Sequence, residues 1–314
     1  MQVVVDGEKS SKLTVDSGVP QGTVLGPLLF LCHINDLPLS VNSTVRLFAD
    51  DCLLYRKINS QQDQIALQND LHELEKWADQ WGMRFNAKKC YVMSVNAKTS
   101  YFYTLTNQIL KQVEENPYLG LTLTENLKWS SHIMKISKKA NSTLGFLRRN
   151  LKNFPSDCRK TAYIALVRSI LDYGSIVWDP YQAQDIDRLE RIQRQSARFI
   201  TGDYKSQEEG CVTNMLASLE LPSLEHRRKI NKLIFMYKVV EGLVPAIPPE
   251  KFLKPAKQRR QIKPKHHKDC DTKNILERHI VNNDRGFTVK TCKTKQLEQS
   301  FFVKTGVDWN HLKN

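Results

Sequence analysis

No apolar run in the 314-residue chain is long enough to cross a bilayer, and no cleavable leader or lipidation motif is present. That pattern predicts a soluble, intracellular protein. Cys-x-x-Cys pairs are absent too. The seven cysteines (Cys32, Cys52, Cys90, Cys158, Cys211, Cys270 and Cys292) stand singly and odd in number. This argues against a disulfide framework and reads as reduced thiols. His266, His267 and Cys270 have the spacing of no standard zinc module, which favours a basic surface loop over a metal cluster. Internal repeats are also absent.

Acidic residues are scarce in one part only. Residues 1–130 hold 12 Lys/Arg against 14 Asp/Glu, a balance of −2. The remainder holds 35 against 19, a balance of +16 within a total of +14. A near-neutral front and a strongly basic back fit a catalytic or structural part followed by a polyanion-binding part. A lysine-rich surface that only keeps the chain in solution is the simpler alternative. The length suffices for two modest domains or one large one, and 40% hydrophobic residues support a packed core.

Periodicity predicts a mixed front half. Gln2 to Val5, the turn Asp6 to Lys9 and Lys12 to Val15 read as an opening β-hairpin. Gly22 to His33 is an apolar helix with Gly26-Pro27 near its first turns. Gln62 to Trp81 is an amphipathic helix, with Ile65, Leu71, Leu74, Ala78 and Trp81 on its stripe and Gly82 at its stop. Tyr91 to Val95, Tyr101 to Leu105, Ile109 to Val113 and Tyr118 to Leu123 read as short strands. Helices are predicted at Ser131 to Arg149, Ser156 to Asp172, Asp185 to Thr201 and Ser223 to Glu241. A Pro-rich stretch and Lys/Arg-rich sequence to Lys268 read as a linker or loosely ordered segment.

The tetrad Phe48-Ala49-Asp50-Asp51 lies between the short apolar runs Val45 to Ala49 and Cys52 to Tyr55. Strand, tight turn, strand is the reading, with the acids at the turn. Adjacent aspartates repel, and a divalent cation is the natural counter-charge. Such pairs are also common in solvated turns. About thirty residues earlier stands Ser17-Gly18-Val19-Pro20-Gln21-Gly22-Thr23-Val24-Leu25-Gly26-Pro27-Leu28-Leu29-Phe30. Glycine permits close backbone approach to a ligand, and Gln21 offers both donor and acceptor. Farther on, Arg188, Arg191, Arg194 and Arg198 recur at steps of three and four and share roughly one helix face. That row suits a phosphate backbone. Equally, Asp187–Arg191 and Glu190–Arg194 are (i, i+4) pairs that stabilise a solvated helix.

The Gly18 segment and the Asp50-Asp51 turn together resemble the palm core of a reverse transcriptase of the jockey-like non-LTR retrotransposon group. The resemblance implies an α+β fold. A partial palm, an antiparallel sheet with packed helices, would span 1–130. A mostly α-helical, thumb-like C-terminal region would span 131–245, and a basic, partly ordered segment 246–314. It implies nucleotidyl transfer from a dNTP to a DNA primer on an RNA template, with Mg²⁺ in a two-metal site and a nuclear location. Asp50 and Asp51 match the metal-binding acids, and Phe48 the aromatic beneath the primer end. Gly18, Pro20, Gln21 and Gly22 match the nucleotide and template pocket. Lys89, in Asn86-Ala87-Lys88-Lys89-Cys90, matches a lysine that would help the leaving group; a lysine pair in a surface loop is the alternative. Tyr118, Leu119 and Gly120 match the primer grip. Leu171-Asp172-Tyr173-Gly174-Ser175-Ile176-Val177-Trp178 resembles the helical region behind the palm, and Phe301-Phe302-Val303-Lys304-Thr305, with Trp309-Asn310, resembles the C-terminal end of these elements.

One element of the pattern is not found. A further aspartate belongs to a hydrophobic-Asp-x-x-x-Ala-Phe-Asp context before the Gly18 segment, where this chain has only Asp6 and Asp16. Neither has that setting. The expectation is therefore the C-terminal part of a longer polymerase, inactive by itself, with a group II intron-type or telomerase-type polymerase less favoured. A non-catalytic nucleic-acid-binding remnant or domesticated protein is the competing reading.

Overall fold

A computed structural model describes residues 2–14, 18, 19, 22–96, 101–255, 286–289, 292 and 294–311. The predictions for Val15, Asp16, Pro20, Gln21, the His266/His267/Cys270 cluster and the basic stretch to Lys268 lie outside these residues. The fold is mixed α and β and divides into two units, Met1–Asn116 and Pro117–Asn314.

The first unit opens with β1 (Val4–Val5) and β2 (Glu8–Lys9), paired antiparallel. The return strand starts earlier than Lys12 because Asp6 and Gly7 both take positive φ and close a two-residue turn. Helix α1 (Gly26–Ile34) starts four residues later than predicted. Gly22 has φ +80°, outside the right-handed helix, and the Thr23 hydroxyl accepts the Gly26 N–H at 3.0 Å. A 3₁₀ turn, Leu37–Ser40, leads into β3 (Thr44–Phe48) and β4 (Asp51–Tyr55). Helix α2 (Gln61–Gln80) begins with a capping box between Ser60 and Asp63, and Gly82 with φ +65° follows its end. Short strands follow: β5 (Tyr91–Val92), β6 (Thr104–Leu105), β7 (Gln108–Ile109) and β8 (Lys111–Gln112). Thr106 and Asn107, both at positive φ, make the β6–β7 turn, while β5 pairs with β8 in parallel.

Helix α2 is the spine of this unit. Leu74, Trp77 and Ala78 pack against Ile34, Leu37 and Val45, and Leu67 and Leu71 against Tyr103, Leu105 and Leu110. Leu71 and Phe85 belong to both clusters and join them.

The second unit is helical behind one hairpin. Strand β9 (Glu115–Tyr118) pairs with β10 (Leu121–Thr124). The stretch Tyr118 to Leu123 is thus a turn and a strand, because Leu119 and Gly120 both take positive φ. Helix α3 (Ser130–Asn150) matches its prediction to within a residue at each end. The predicted helix 156–172 keeps its bounds but is composite: α4 (Ser156–Ala162), a π turn at Tyr163–Arg168 and α5 (Ser169–Asp172). Next come α6 (Ser175–Trp178), α7 (Ala183–Thr201), α8 (Cys211–Ser218) and α9 (Leu224–Val240). The remaining helices are α10 (Pro249–Phe252), α11 (Lys295–Glu298) and α12 (Phe301–Asn310). The main core gathers Ile133, Leu144, Tyr163, Leu171, Trp178, Leu189, Phe199 and Leu224.

Asp179 ties α6, α9 and α12 together. Its carboxylate accepts Arg228 Nε at 2.9 Å, Lys232 Nζ at 2.5 Å and Lys304 Nζ at 3.2 Å. Burial raises the Asp179 pKa, but Lys232, Lys304 and Arg228 together hold it below the ordinary value. Lys232 also moves down, because its own burial outweighs Asp179 and Lys304 repels it. Asp179→Asn leaves Arg228, fully buried, without its counter-charge. We expect a loss of about 3–5 kcal/mol, read as a lower melting temperature of the second unit.

Candidate functional site

The β3–β4 hairpin shows why the sequence alternation matters. Val45 and Leu47 face Leu54 and Cys52 on the inner side and pack toward Phe30, Ile34 and α2. Thr44, Arg46 and Phe48 occupy the outer face opposite Tyr55, Leu53 and Asp51. Ala49 and Asp50 form the two-residue turn. Ala49 has φ +49°, while Asp50 is not among the positive-φ residues, the φ pattern of a type II′ turn. Both aspartates are exposed, and Phe48, beside Asp51 on the outer face, is 61% exposed. Phe48 and Asp51 thus share the outer face at the tip, with Asp50 exposed in the adjoining turn.

A residue outside the motifs fixes where the hairpin begins. Asp70 of α2 is buried, and its carboxylate accepts the backbone N–H of Asn42 and of Ser43, each at 2.9 Å, and the Ser43 hydroxyl. Its sequence signal was an acid on the apolar stripe, between Leu67, Leu71 and Leu74. Trp77 adds a second tie, donating Nε1–H to Asp36 Oδ1 at 3.1 Å just before the 3₁₀ turn.

Lys89 is exposed in a 3₁₀ turn, Ala87–Lys89, and no ion pair among the described residues engages it. Burial, with a smaller contribution from Cys90, pushes the Cys52 thiol up to about 11, and burial raises Cys90 as well. Both cysteines are free. Gly18 and Gly22 are exposed with φ +93° and +80°, and no atom lies within 4 Å of a Cβ built on either. Open space beside both glycines leaves room for a ligand at the backbone.

The described residues do not make a complete metal centre. Among them no group of three or more His, Cys, Asp or Glu side chains could hold a metal ion. Asp50 and Asp51 supply hard oxygen donors, but a divalent cation of this class needs about six.

The arginine row on α7 is partly engaged. Arg191 and Arg194 both pair with Asp187, at 3.2 and 2.5 Å. Arg198 donates to the carbonyls of Asp203 and Ser206. Glu190 accepts the Glu225 N–H rather than pairing with Arg194. Arg188 has no hydrogen bond or ion pair among the described residues. Helix α3 carries a feature the sequence reading passed over. Its 21 residues include Lys135, Lys138, Lys139, Arg148 and Arg149 and no acid. Lys135, Lys138, Lys139 and Arg149 are exposed, together with Phe146.

Residues 1–123 match the family of the reverse transcriptase, RNA-dependent DNA polymerase. The chain is 28% identical over 214 residues to the RNA-directed DNA polymerase from mobile element jockey of Drosophila melanogaster, covering 64% of this chain and 23% of that protein. Over 206 residues it is 27% identical to the probable RNA-directed DNA polymerase from transposon X-element of the same organism, covering 62% and 22%. Over 201 residues it is 27% identical to the probable RNA-directed DNA polymerase from transposon BS, covering 59% and 22%. The matches thus span less than a quarter of the length of these relatives.

The positive φ of Ala49 costs stability that glycine would recover. Ala49→Gly should stabilise the hairpin by roughly 0.5–1 kcal/mol, relief of the Cβ clash exceeding the extra freedom of the unfolded chain. Amide exchange of β3 and β4 should then slow by about two- to fivefold; unchanged or faster exchange would mean the turn is not strained.

Proposed function

We propose that the chain carries part of an RNA-directed DNA polymerase of a non-LTR retrotransposon, acting on an RNA template, a DNA primer and dNTPs. One observation carries the reading. The two aspartates stand at the tip of a hairpin whose inner face packs on the helix that follows the Gly18–Gly22 segment, within the residues that match the reverse transcriptase family. Asp50 and Asp51 are assigned as two of the acids that hold Mg²⁺, and Phe48 as the surface under the primer end. Gly18, Pro20, Gln21 and Gly22 are assigned to the nucleotide and template pocket, Lys89 to the leaving group, and Tyr118, Leu119 and Gly120 to the primer strand.

The surface of α1 supports a longer catalytic unit. Leu25, Leu28, Leu29 and Leu31 are each at least half exposed. A helix apolar on all sides belongs in the interior of a larger protein. More of the polymerase would cover it and bring the remaining acid ligands. In this reading the 314-residue chain does not extend a primer. A polypeptide extended upstream to include a hydrophobic-Asp-x-x-x-Ala-Phe-Asp segment does, and Asp50→Asn in it abolishes extension, because an amide is a poorer ligand for a hard cation. Primer extension on an RNA template with Mg²⁺ is the assay. Extension that survives Asp50→Asn would remove that residue from the site. A longer chain that binds nucleic acid yet never extends a primer would favour the non-catalytic remnant.

Helix α3 is the surface we assign to the nucleic-acid backbone, ahead of the α7 row. Lys138, Lys139 and Arg149 are exposed and carry no ion pair among the described residues, whereas Arg191 and Arg194 share Asp187. Each phosphate neutralised releases condensed counterion, so affinity falls steeply with salt. Replacing Lys138, Lys139 and Arg149 by alanine should reduce the log–log salt slope by roughly two to three for a duplex. Replacing Arg188, Arg191, Arg194 and Arg198 should reduce it by less. Filter binding across a salt series distinguishes the two, and the reverse order would move the interface to α7.

A further inference from the structure

The segment Leu171–Trp178 has no assigned role, yet it closes around the β9–β10 turn. Leu119 and Gly120 form that turn with φ +48° and +79°. Two consecutive positive φ values are the type I′ pattern, for which leucine is a poor residue because its Cβ crowds the backbone. Such a conformation persists when its surroundings over-determine it. Tyr173 supplies those surroundings. Its hydroxyl donates to the Leu119 carbonyl at 3.0 Å, although the residue is 59% exposed.

The two turns also interlock through their glycines. A Cβ on Gly120 would lie 3.0 Å from Cε1 of Tyr173, and a Cβ on Gly174 would lie 2.9 Å from Cδ2 of Leu121. Each glycine leaves room for the side chain of the opposite turn, and Gly174 itself has φ +64°. Behind them the contacts close into a ring. Trp178 donates Nε1–H to the Tyr173 carbonyl at 2.7 Å. The Trp178 ring meets His132 edge-on at 5.3 Å between centroids. His132 Nδ1 accepts the Thr122 N–H of β10 at 3.2 Å. The segment is fixed in turn by Asp172, which accepts Arg227 Nε and Nη2 at 3.1 and 2.8 Å.

We propose that Tyr173 and Gly174 are positioning residues for the Leu119–Gly120 turn, holding it in one conformation so that Tyr118 and Leu119 meet a primer strand at a fixed place. The primer clause rests on the polymerase reading; the conformational clause does not. Gly174 admits Leu121, the Tyr173 ring fills the space beside Gly120, and the hydroxyl pins Leu119. The hydroxyl is the part that can be removed without disturbing packing.

The test uses the 314-residue chain and Tyr173→Phe. In the first arm, amide exchange is followed at Gly120 and Leu121. Loss of one hydrogen bond should speed it about three- to tenfold, while the melting temperature and exchange elsewhere in the second unit stay as they were. Unchanged exchange at the turn would overturn the proposal. In the second arm, binding is compared for a duplex with a recessed primer 3′ end and a blunt duplex of equal length, using fluorescence anisotropy. The wild-type chain should prefer the recessed end. Tyr173→Phe should lose that preference but keep its blunt-duplex affinity and salt slope, a change that loss of stability alone would not produce. A preference retained in Tyr173→Phe would overturn the primer clause. A wild-type chain without any preference would instead sink the polymerase reading of this hairpin, and the exchange arm would still decide the conformational clause.

Discussion

The grip of Asp70 on the chain just before β3 is the contact on which the candidate site depends. The two-residue turn and the buried apolar face set the register of the hairpin, and a slip of one residue would turn that face outward. Asp70 adds an anchor at the other end, where the chain enters β3. It projects from the long helix α2 and receives the amides of Asn42 and Ser43 and the Ser43 hydroxyl. Hydrogen bonds to a charged acceptor contribute about 1.5–3 kcal/mol each, more than neutral ones. The register that puts Val45 and Leu47 inside puts Phe48 and Asp51 outside and leaves Ala49 and Asp50 to turn. A carboxylate twenty residues away from the acids thus fixes the start of the strand that leads to them.

The second unit uses the same device with the opposite balance. There one carboxylate, Asp179, gathers three cations from α9 and α12. A buried pair of this kind adds little net stability against an apolar substitute but penalises every arrangement that separates its members. It therefore selects how the last helix docks. The Asp172–Arg227 contact does the same for the segment that carries Tyr173 and Gly174. Rigid helices brace the irregular backbone at Leu119–Gly120, as Asp70 braces the hairpin of the first unit. Both turns contain a non-glycine residue at positive φ, Ala49 in one and Leu119 in the other. Strained turns of this kind are where backbone geometry serves something other than stability.

Much of this was open to a reader of residues. The β3–β4 hairpin followed from period-two alternation and turn acids, and α2 from its stripe with Gly82 at the end. Helices α3, α7 and α9 lie within about two residues of their sequence-based bounds. The errors have local causes. The opening hairpin returns sooner because Asp6-Gly7 closes it, and Tyr118 to Leu123 is broken because Leu119 accepts a conformation that its propensity disfavours. Leucine gives no signal of positive φ, so only the following glycine hinted at a turn. The basic face of α3 was readable as a run of 21 residues without an acid, while the α7 arginines drew attention by their spacing.

By itself, the sequence determined the longer helices, the β3–β4 hairpin with its two carboxylates and the charge division, because these rest on periodicity and composition within a few residues. Tertiary structure alone decided which charges are spent and which are free. Asp187 takes up Arg191 and Arg194, and Asp179 takes up Arg228, Lys232 and Lys304, while Lys138, Lys139 and Arg149 face solvent. It alone joined Tyr173 to Leu119, 54 residues apart, and Asp70 to Ser43, 27 apart. Such contacts are set by packing of whole helices, and no local pattern in either partner specifies the other.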